Sequence, residues 1–144
     1  GENFWRALCQ PGLIRREERE RRDRAHDVLA AIGLDHMANE YAGALSGGQR
    51  KLLEIGRALM VQPKLILLDE PAAGVNPTLI QQICGHITRW NQAGLTFLII
   101  EHNMDVIMSL CDRVWVLAEG KNLADGTPAE IQTNAAVLSA YLGD

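Results

Sequence analysis

The sequence predicts an α/β protein that combines a parallel sheet with a separate α-helical region. Residues 65–68 and 97–100 are apolar at every position, which is typical of strands covered on both faces within a parallel sheet. Residues before position 62 show only the helical spacing of apolar side chains. We therefore expect a helical subdomain over residues 1–62 and a sheet-containing part over residues 63–144.

Composition limits the class of protein. A chain of 144 residues suits one domain and can bury roughly 70% of its unfolded surface. It is 47% hydrophobic with a net charge of −4, which excludes disorder and disfavours an electrostatic nucleic-acid binder. The three cysteines, Cys9, Cys84 and Cys111, are far apart and form no CxxC pair, so we expect reduced thiols. The longest apolar run is far shorter than the ~20 residues that cross a bilayer.

The first part of the chain predicts two helices. Phe4, Trp5 and Leu8 share one face of a short helix over residues 1–10, and Pro11-Gly12 indicates a turn. A second helix over residues 15–32 opens with six arginines and four acids in ten residues. Because these charges pair at i, i+4, we favour a solvated face over a nucleic-acid or lipid patch.

A glycine-rich turn precedes the next predicted helix, which covers residues 50 to about 61. The turn consists of Leu45, Ser46, Gly47, Gly48 and Gln49. A serine N-cap followed by two glycines leaves backbone N–H groups open at the positive end of the helix dipole, an arrangement that attracts phosphate. The alternative is a plain glycine-rich helix cap.

Two carboxylates follow the first aliphatic strand directly. Asp69 and Glu70 stand at its carboxyl end, where open α/β sheets bind ligands. Consecutive strand residues point to opposite sides, so Asp69 can face a cation and Glu70 a nucleophile. The alternative is a solvated strand end that happens to be acidic.

The second strand ends in a similar way. A small-residue loop with Asn76 as N-cap leads into a helix to about residue 92, and the strand that follows is ended by Glu101, His102 and Asn103. A histidine at the end of a neighbouring strand can point into the same crevice as Glu70. The alternative for His102 is a structural histidine.

The last part of the chain predicts short elements. Asn103 caps a helix to about residue 111, and a strand over 113–117 turns at 119–121 into a short strand that ends near Gly126. Thr127 and Glu130 have the spacing of a capping box. Two short helices complete the chain to Gly143.

Taken in this order, the motifs resemble those of an ATP-binding-cassette ATPase. The resemblance is closest to the ATP-binding subunits of branched-chain amino acid importers, judged by residues 70–77, 125–128 and 140–143, and related amide and urea importers look similar. It implies a P-loop NTPase-like fold with helices on both faces of a parallel sheet. Residues 63–144 would then be the C-terminal part of a RecA-like core, and residues 1–62 the helical subdomain with the signature motif.

The resemblance also implies roles for individual residues. Leu45, Ser46, Gly47, Gly48 and Gln49 match the signature motif, which contacts the γ-phosphate of ATP held by a partner subunit. Asp69 would hold Mg²⁺, Glu70 would be the general base and His102 the switch histidine. Gly74 and Asn76 fall in the D-loop, where many relatives carry aspartate in place of Asn76. Asn103 also replaces an aspartate common in close relatives.

The implied partners are a second ATPase subunit, identical or different, and integral membrane permease subunits; no nucleic acid is expected. The protein would be cytoplasmic and peripheral on the membrane, with ATP and Mg²⁺ as its cofactors. No G-x-x-x-x-G-K-[ST] loop occurs in the sequence. We therefore expect a C-terminal fragment that does not bind ATP tightly alone.

One alternative is a non-enzymatic folding or dimerisation module, which nucleotide titration would distinguish from an ATPase. An ATPase head of a DNA-repair or chromosome-maintenance protein is disfavoured, because the helical insertion is short and no basic face is present.

Overall fold

The computed structural model describes residues 11–142. The predicted helix over residues 1–10, with Phe4, Trp5 and Leu8, lies outside the described residues, as does Cys9. The chain divides into two compact units, residues 1–64 and residues 65–144. Each unit is described by itself.

The first unit is helical. Its elements are α1 (Pro11–Ala31), two short 3₁₀ turns (Asp35–Met37 and Ala42–Ala44) and α2 (Gly47–Leu59). The predicted turn at Pro11-Gly12 is wrong, because both residues lie in the first turn of α1. Proline is tolerated there, since the N–H that it lacks has no acceptor within the helix.

The charged half of α1 is exposed and paired along the helix. Arg16 Nε lies 3.0 Å from Glu20 Oε1, and Arg21 Nη2 lies 3.9 Å from Glu17 Oε2, both at the predicted i, i+4 spacing. Exposed pairs of this kind contribute little to stability, with typical values of about 0.3–0.5 kcal/mol. They are consistent with a solvated face.

The core of the first unit lies between α1, α2 and the segment that connects them. Its buried apolar residues are Ile32, Leu34, Leu45, Leu52 and Ile55. The two helices approach closely at Gly56, where an added Cβ would lie 2.9 Å from Ile32 Cδ1. The absence of a side chain at this position therefore allows the close packing of α1 and α2.

The second unit combines strands with helices. In chain order its elements are β1 (Leu65–Asp69), α3 (Pro77–Gln92), β2 (Thr96–Ile100), α4 (Met104–Leu110), β3 (Val114–Ala118), β4 (Lys121–Gly126), α5 (Pro128–Gln132) and α6 (Ala135–Leu142). Strands β1 and β2 are parallel, whereas β3 pairs antiparallel with β4 in a second two-stranded sheet. The predicted elements are present, with ends that differ by one or two residues. Within residues 11–142, no helix has the length and apolarity to span a bilayer.

The prediction that the first strand is covered on both faces is wrong within the described residues. Ile66 is buried, but Leu67 is 67% exposed, and on β2 Ile100 is 60% exposed. Side chains alternate between the two faces of a strand. The covered face of β2 carries Phe97, whose ring stacks on Trp90 of α3 with the centroids 6.5 Å apart.

A second apolar cluster lies around the β3–β4 hairpin. Val114, Ile131 and Val137 are its buried residues, contributed by β3, α5 and α6. The predicted capping box is confirmed, since Thr127 Oγ1 accepts from the Glu130 N–H and Glu130 Oε2 accepts from the Thr127 N–H. This cap sets the start of α5 and so the position of Ile131.

Candidate functional site

The candidate site lies at the carboxyl ends of β1 and β2. Parallel pairing aligns Asp69 with Ile100, so both strands end at the same edge. The Glu70 N–H continues the pairing by donating to the Ile100 carbonyl at 2.9 Å. The residues that follow the two strands, Glu70 and Glu101-His102, therefore lie side by side.

The structure brings Glu70 and His102 together, as the sequence predicted. The His102 Nδ1 atom lies 3.4 Å from Glu70 Oε1, and the two side chains are 74% and 51% exposed respectively. A carboxylate and an imidazole thus lie side by side and are exposed to solvent. Such a pair can orient a water molecule and interact with an anionic group, the two tasks that phosphoryl transfer to water needs.

The backbone at Glu70 is in an uncommon conformation. Its φ angle is +45°, in the left-handed region that non-glycine residues adopt rarely. The Ala73 N–H donates to the Glu70 carbonyl at 3.1 Å, which closes a tight turn directly after β1. Gln62 and Glu119 adopt the same conformation, so it indicates a tight turn and does not by itself mark a functional site.

The loop that follows leads into α3 and supplies its N-cap. Gly74 has a φ angle of +68°, which favours glycine although an added Cβ would meet nothing within 4 Å. The Asn76 Oδ1 atom accepts from the Leu79 N–H at 3.0 Å and caps the helix. The amide of Asn76 therefore serves as a helix cap, as predicted.

A residue that sequence reasoning did not single out, Glu101, connects the two loops. Its Oε1 atom accepts from the Ala72 N–H at 2.7 Å, and its Oε2 atom accepts from the N–H groups of His102 at 3.2 Å and Asn103 at 3.4 Å. The sequence did hold a signal, since Glu101 is an acid placed directly after a strand. Its partner Ala72 is far away in sequence, so only the structure reveals the contact.

The signature segment belongs to the first unit. Helix α2 begins at Gly47 and ends at Leu59, so the predicted span of residues 50–61 was wrong at both ends. The reason is a capping box: Ser46 Oγ accepts from the Gln49 N–H at 3.3 Å, and Gln49 Oε1 accepts from the Ser46 N–H at 2.9 Å. The box draws both glycines into the first turn of the helix. The N–H groups of Gly47 and Gly48 have no acceptor within the helix.

Burial and a hydrogen bond hold Leu45, the first residue of the signature segment, in place. Leu45 is buried, and its carbonyl accepts from Arg50 Nη1 at 3.1 Å. The Ser46 and Gly47 side of the turn is exposed. The geometry thus presents the N-terminal end of α2 to solvent on a fixed support, as the phosphate-site hypothesis requires.

The donor atoms at the end of β1 fit a magnesium ion. Asp69 is exposed at the strand end and offers carboxylate oxygens, the ligands that Mg²⁺ prefers. Among residues 11–142, no group of three or more His, Cys, Asp or Glu side chains could form a protein-only metal cage. Mg²⁺ usually takes one or two carboxylates and completes its shell with water and phosphate oxygens.

Comparisons with known proteins agree with these motifs. The family described as "ABC transporter" matches residues 3–73, and "Branched-chain amino acid ATP-binding cassette transporter" matches residues 121–144. The high-affinity branched-chain amino acid transport ATP-binding protein BraF of Pseudomonas aeruginosa is 41% identical over 99% of this chain and 56% of its own length. A probable branched-chain amino acid transport protein, LivG of Methanocaldococcus jannaschii, is 40% identical over 100% of this chain and 57% of its own length.

Solved structures show the same likeness. An ATP-binding cassette of an ABC transporter in its ADP conformation has a TM-score of 0.79 and 40% identity, covering 87% of this chain and 51% of that one. A nucleotide-free cassette has a TM-score of 0.80 and 38% identity, covering 100% of this chain and 58% of that one. The fold is therefore that of P-loop NTPases. The chain spans a little over half the length of the curated relatives that it matches.

Proposed function

Because this chain belongs to the ABC transporter ATPase family, we propose that the protein hydrolyses ATP to drive the uptake of branched-chain amino acids or related small amides. The support for the solute is the likeness to branched-chain amino acid transport proteins, including the matched segment at residues 121–144. The support for the chemistry lies in the residues at the ends of β1 and β2.

One observation carries the proposal, the 3.4 Å contact between Glu70 and His102 beside Asp69. In the proposed mechanism Glu70 polarises the attacking water and His102 contacts the γ-phosphate. Asp69 would hold Mg²⁺, which neutralises phosphate charge when it is bound. Phosphoryl transfer depends mainly on positioning and charge neutralisation, and these side chains would supply the group that positions the water, a contact to the γ-phosphate and a ligand for the metal.

The signature segment is assigned to a second nucleotide. Leu45, Ser46, Gly47, Gly48 and Gln49 would contact the γ-phosphate of ATP held by another ATPase subunit, with Gly74 and Asn76 in the D-loop. The exposed N-terminal end of α2 supports this assignment, since its open N–H groups suit an anion. The subunits would dock on integral membrane permease subunits at the cytoplasmic face, without nucleic acid.

The two parts of the chain would have separate tasks. We assign residues 1–62 to the helical subdomain that carries the signature segment, and residues 63–144 to the C-terminal part of the ATPase core. The division of the chain into units at residues 64 and 65 supports this assignment.

The proposal is tested by Glu70→Gln in the complete protein assembled with its partners. A general base is commonly worth ~10²–10⁴ in rate, so we expect turnover to fall by that factor while ATP remains bound. The measurement is phosphate release together with retained radiolabelled nucleotide. Glu119→Gln, an exposed acid in the turn between β3 and β4, serves as the control. Turnover of Glu70→Gln near the wild-type rate would contradict the proposal.

The exposed apolar face of β1 and β2 favours a second candidate function. Leu65, Leu67, Leu98 and Ile100 are exposed. Exposed apolar patches mark association surfaces, so the chain by itself would act as a folding or dimerisation module. Sedimentation together with ATP titration distinguishes the two functions. Self-association without ATP binding favours the module, whereas ATP binding by the monomer excludes it.

A further inference from the structure

We propose that Glu101 is a positioning residue that holds both Glu70 and His102 in place for hydrolysis. The inference rests on the proposed function, because it concerns the same site. In this proposal Glu101 does not itself contact the phosphate or the attacking water. Its action is exerted through the backbone of the two loops that carry the reacting side chains.

The Glu101 carboxylate accepts hydrogen bonds from three backbone N–H groups. One oxygen accepts from Ala72, in the loop after β1, and the other accepts from His102 and Asn103, in the loop after β2. Hydrogen bonds to an ionised acceptor are roughly twice as strong as neutral ones. The 2.7 Å contact with Ala72 is the shortest of the three. Together they form a bridge between the loops.

The bridge supports the strained backbone of Glu70. On one side, the Glu70 N–H is held by the Ile100 carbonyl at 2.9 Å. On the other side, the turn closed by Ala73 contains Ala72, whose N–H is held by Glu101. A left-handed non-glycine residue persists only where its surroundings hold it. The contact at Ala72 therefore keeps the Glu70 carboxylate directed toward His102.

The bridge also holds His102. Its N–H and that of Asn103 donate to the same Glu101 oxygen. The Asn103 side chain in turn caps α4 by accepting from the N–H groups of Asp105 and Val106. The loop is thus fixed at Glu101 and at the start of α4. His102 lies between these two supports.

A carboxylate is the only side chain of this length that can serve both loops. In Glu101→Gln one oxygen becomes an NH₂ group, which would face either the Ala72 N–H or the N–H groups of His102 and Asn103. One side of the bridge is therefore lost, and the other side loses its charge. In Glu101→Asp the carboxylate is one methylene shorter and reaches only one loop.

The first experiment measures amide hydrogen exchange by NMR on this 144-residue chain. In Glu101→Gln we expect exchange at Ala72, His102 or both to be at least about tenfold faster than in the wild type, because a bond to a charged acceptor is lost. Glu119→Gln should leave both rates unchanged. Unchanged rates in Glu101→Gln overturn the proposal.

A reference amide keeps this test decisive if Glu101→Gln lowers overall stability. Ile87 lies buried in α3 of the same unit and reports general unfolding. If the bridge exists, the exchange rate at Ala72 or His102 increases by a larger factor in Glu101→Gln than the exchange rate at Ile87. Equal acceleration at all three positions means a general loss of stability and overturns the proposal.

The second experiment separates positioning from folding through kinetics in the complete protein. Misplacement of a reacting group by about 1 Å can cost ~10²-fold, so we expect Glu101→Gln to lower kcat about 10- to 100-fold with KM for ATP unchanged. Partial rescue of kcat by Glu101→Asp, and no change in Glu119→Gln, complete the expected pattern. A change confined to KM, or wild-type kcat, overturns the positioning role.

The two hypotheses fail in different ways. If Glu70→Gln abolishes turnover while Glu101→Gln retains it, the proposed function stands and the positioning role is wrong. If Glu70→Gln retains turnover, the proposed function is wrong, whereas the exchange rates still report whether the bridge exists.

Discussion

Replacing Gly56 with alanine tests how closely the two helices of the first unit pack. Within a helix, alanine is more favourable than glycine by about 0.8–1.0 kcal/mol, so propensity alone predicts that the change stabilises the protein. The structure opposes this, because the added Cβ would lie 2.9 Å from Ile32 Cδ1 and 3.2 Å from Val28 Cγ1. Both distances are shorter than an ordinary carbon contact of about 3.5–4.0 Å.

The expected cost follows from how little the neighbours can move. Ile32 is 1% exposed and has no room to change its rotamer freely. Val28 is β-branched and stiff on a helix. Overpacking of a core typically costs 1–3 kcal/mol. After the gain in propensity of about 1 kcal/mol, we expect Gly56→Ala to lower the free energy of unfolding by about 1 kcal/mol.

Gly85 provides the matched control. It lies inside α3, and an added Cβ there would meet nothing within 4 Å. We expect Gly85→Ala to stabilise the protein by roughly 0.5–1 kcal/mol. Urea unfolding of the 144-residue chain, followed through amide resonances of the affected unit, gives both values. Stabilisation by Gly56→Ala equal to that by Gly85→Ala would refute the reasoning.

A second variant tests the source of the clash. Ile32→Val removes the Cδ1 atom that is closest to the added Cβ. Gly56→Ala should therefore cost less in the Ile32→Val background than in the wild type, with a coupling of about 0.5–1 kcal/mol for residues in contact. Additive effects of the two substitutions would show that Ile32 is not the obstacle.

Two further predictions concern helix caps of the second unit. Asn103→Ala removes the acceptor for the N–H groups of Asp105 and Val106. We therefore expect urea unfolding to show that the free energy of unfolding falls by about 1 kcal/mol. A decrease of less than a few tenths of a kcal/mol would contradict the role of the cap. Hydrogen bonds from the Thr127 backbone N–H and then from its hydroxyl lower the pKa of Glu130 below its ordinary value. The stabilisation from Glu130 is therefore present above that ordinary pKa and is lost as the pH falls through the lowered pKa of the folded state. Glu130→Gln should remove this loss of stability at acidic pH. If the free energies of unfolding of the wild type and of Glu130→Gln change in parallel below about pH 5, the prediction is contradicted.

Much of the fold could be predicted from local signals. Local runs of apolar residues indicated the strands. The caps at Asn76, Asn103 and Thr127 and the end of α3 depend on neighbours a few residues away, so they too could be predicted from the sequence. The wrong predictions concern residues whose local pattern is compatible with two different structures. Pro11 can end a turn or begin a helix, and Gly47 can belong to a loop or to a capped first turn.

The candidate site likewise has features that the sequence predicted and features that it did not. The residue types and their order along the chain indicated Asp69, Glu70, His102 and the signature segment, because each follows a recognisable element. Which residues of β1 and β2 are covered was decided by the tertiary structure: Ile66 is buried, whereas Leu67 and Ile100 are exposed, because burial depends on the elements that pack on each face of the sheet.

The sequence by itself determined which side chains follow the two parallel strands and which residues begin α3, α4 and α5, because these depend on contacts a few positions apart. Only the tertiary structure decided that Glu101 bonds to Ala72, a residue 29 positions away, and that Glu70 meets His102. The physical reason is the register of β1 and β2, which sets Asp69 opposite Ile100 and so brings the two loops within hydrogen-bonding distance.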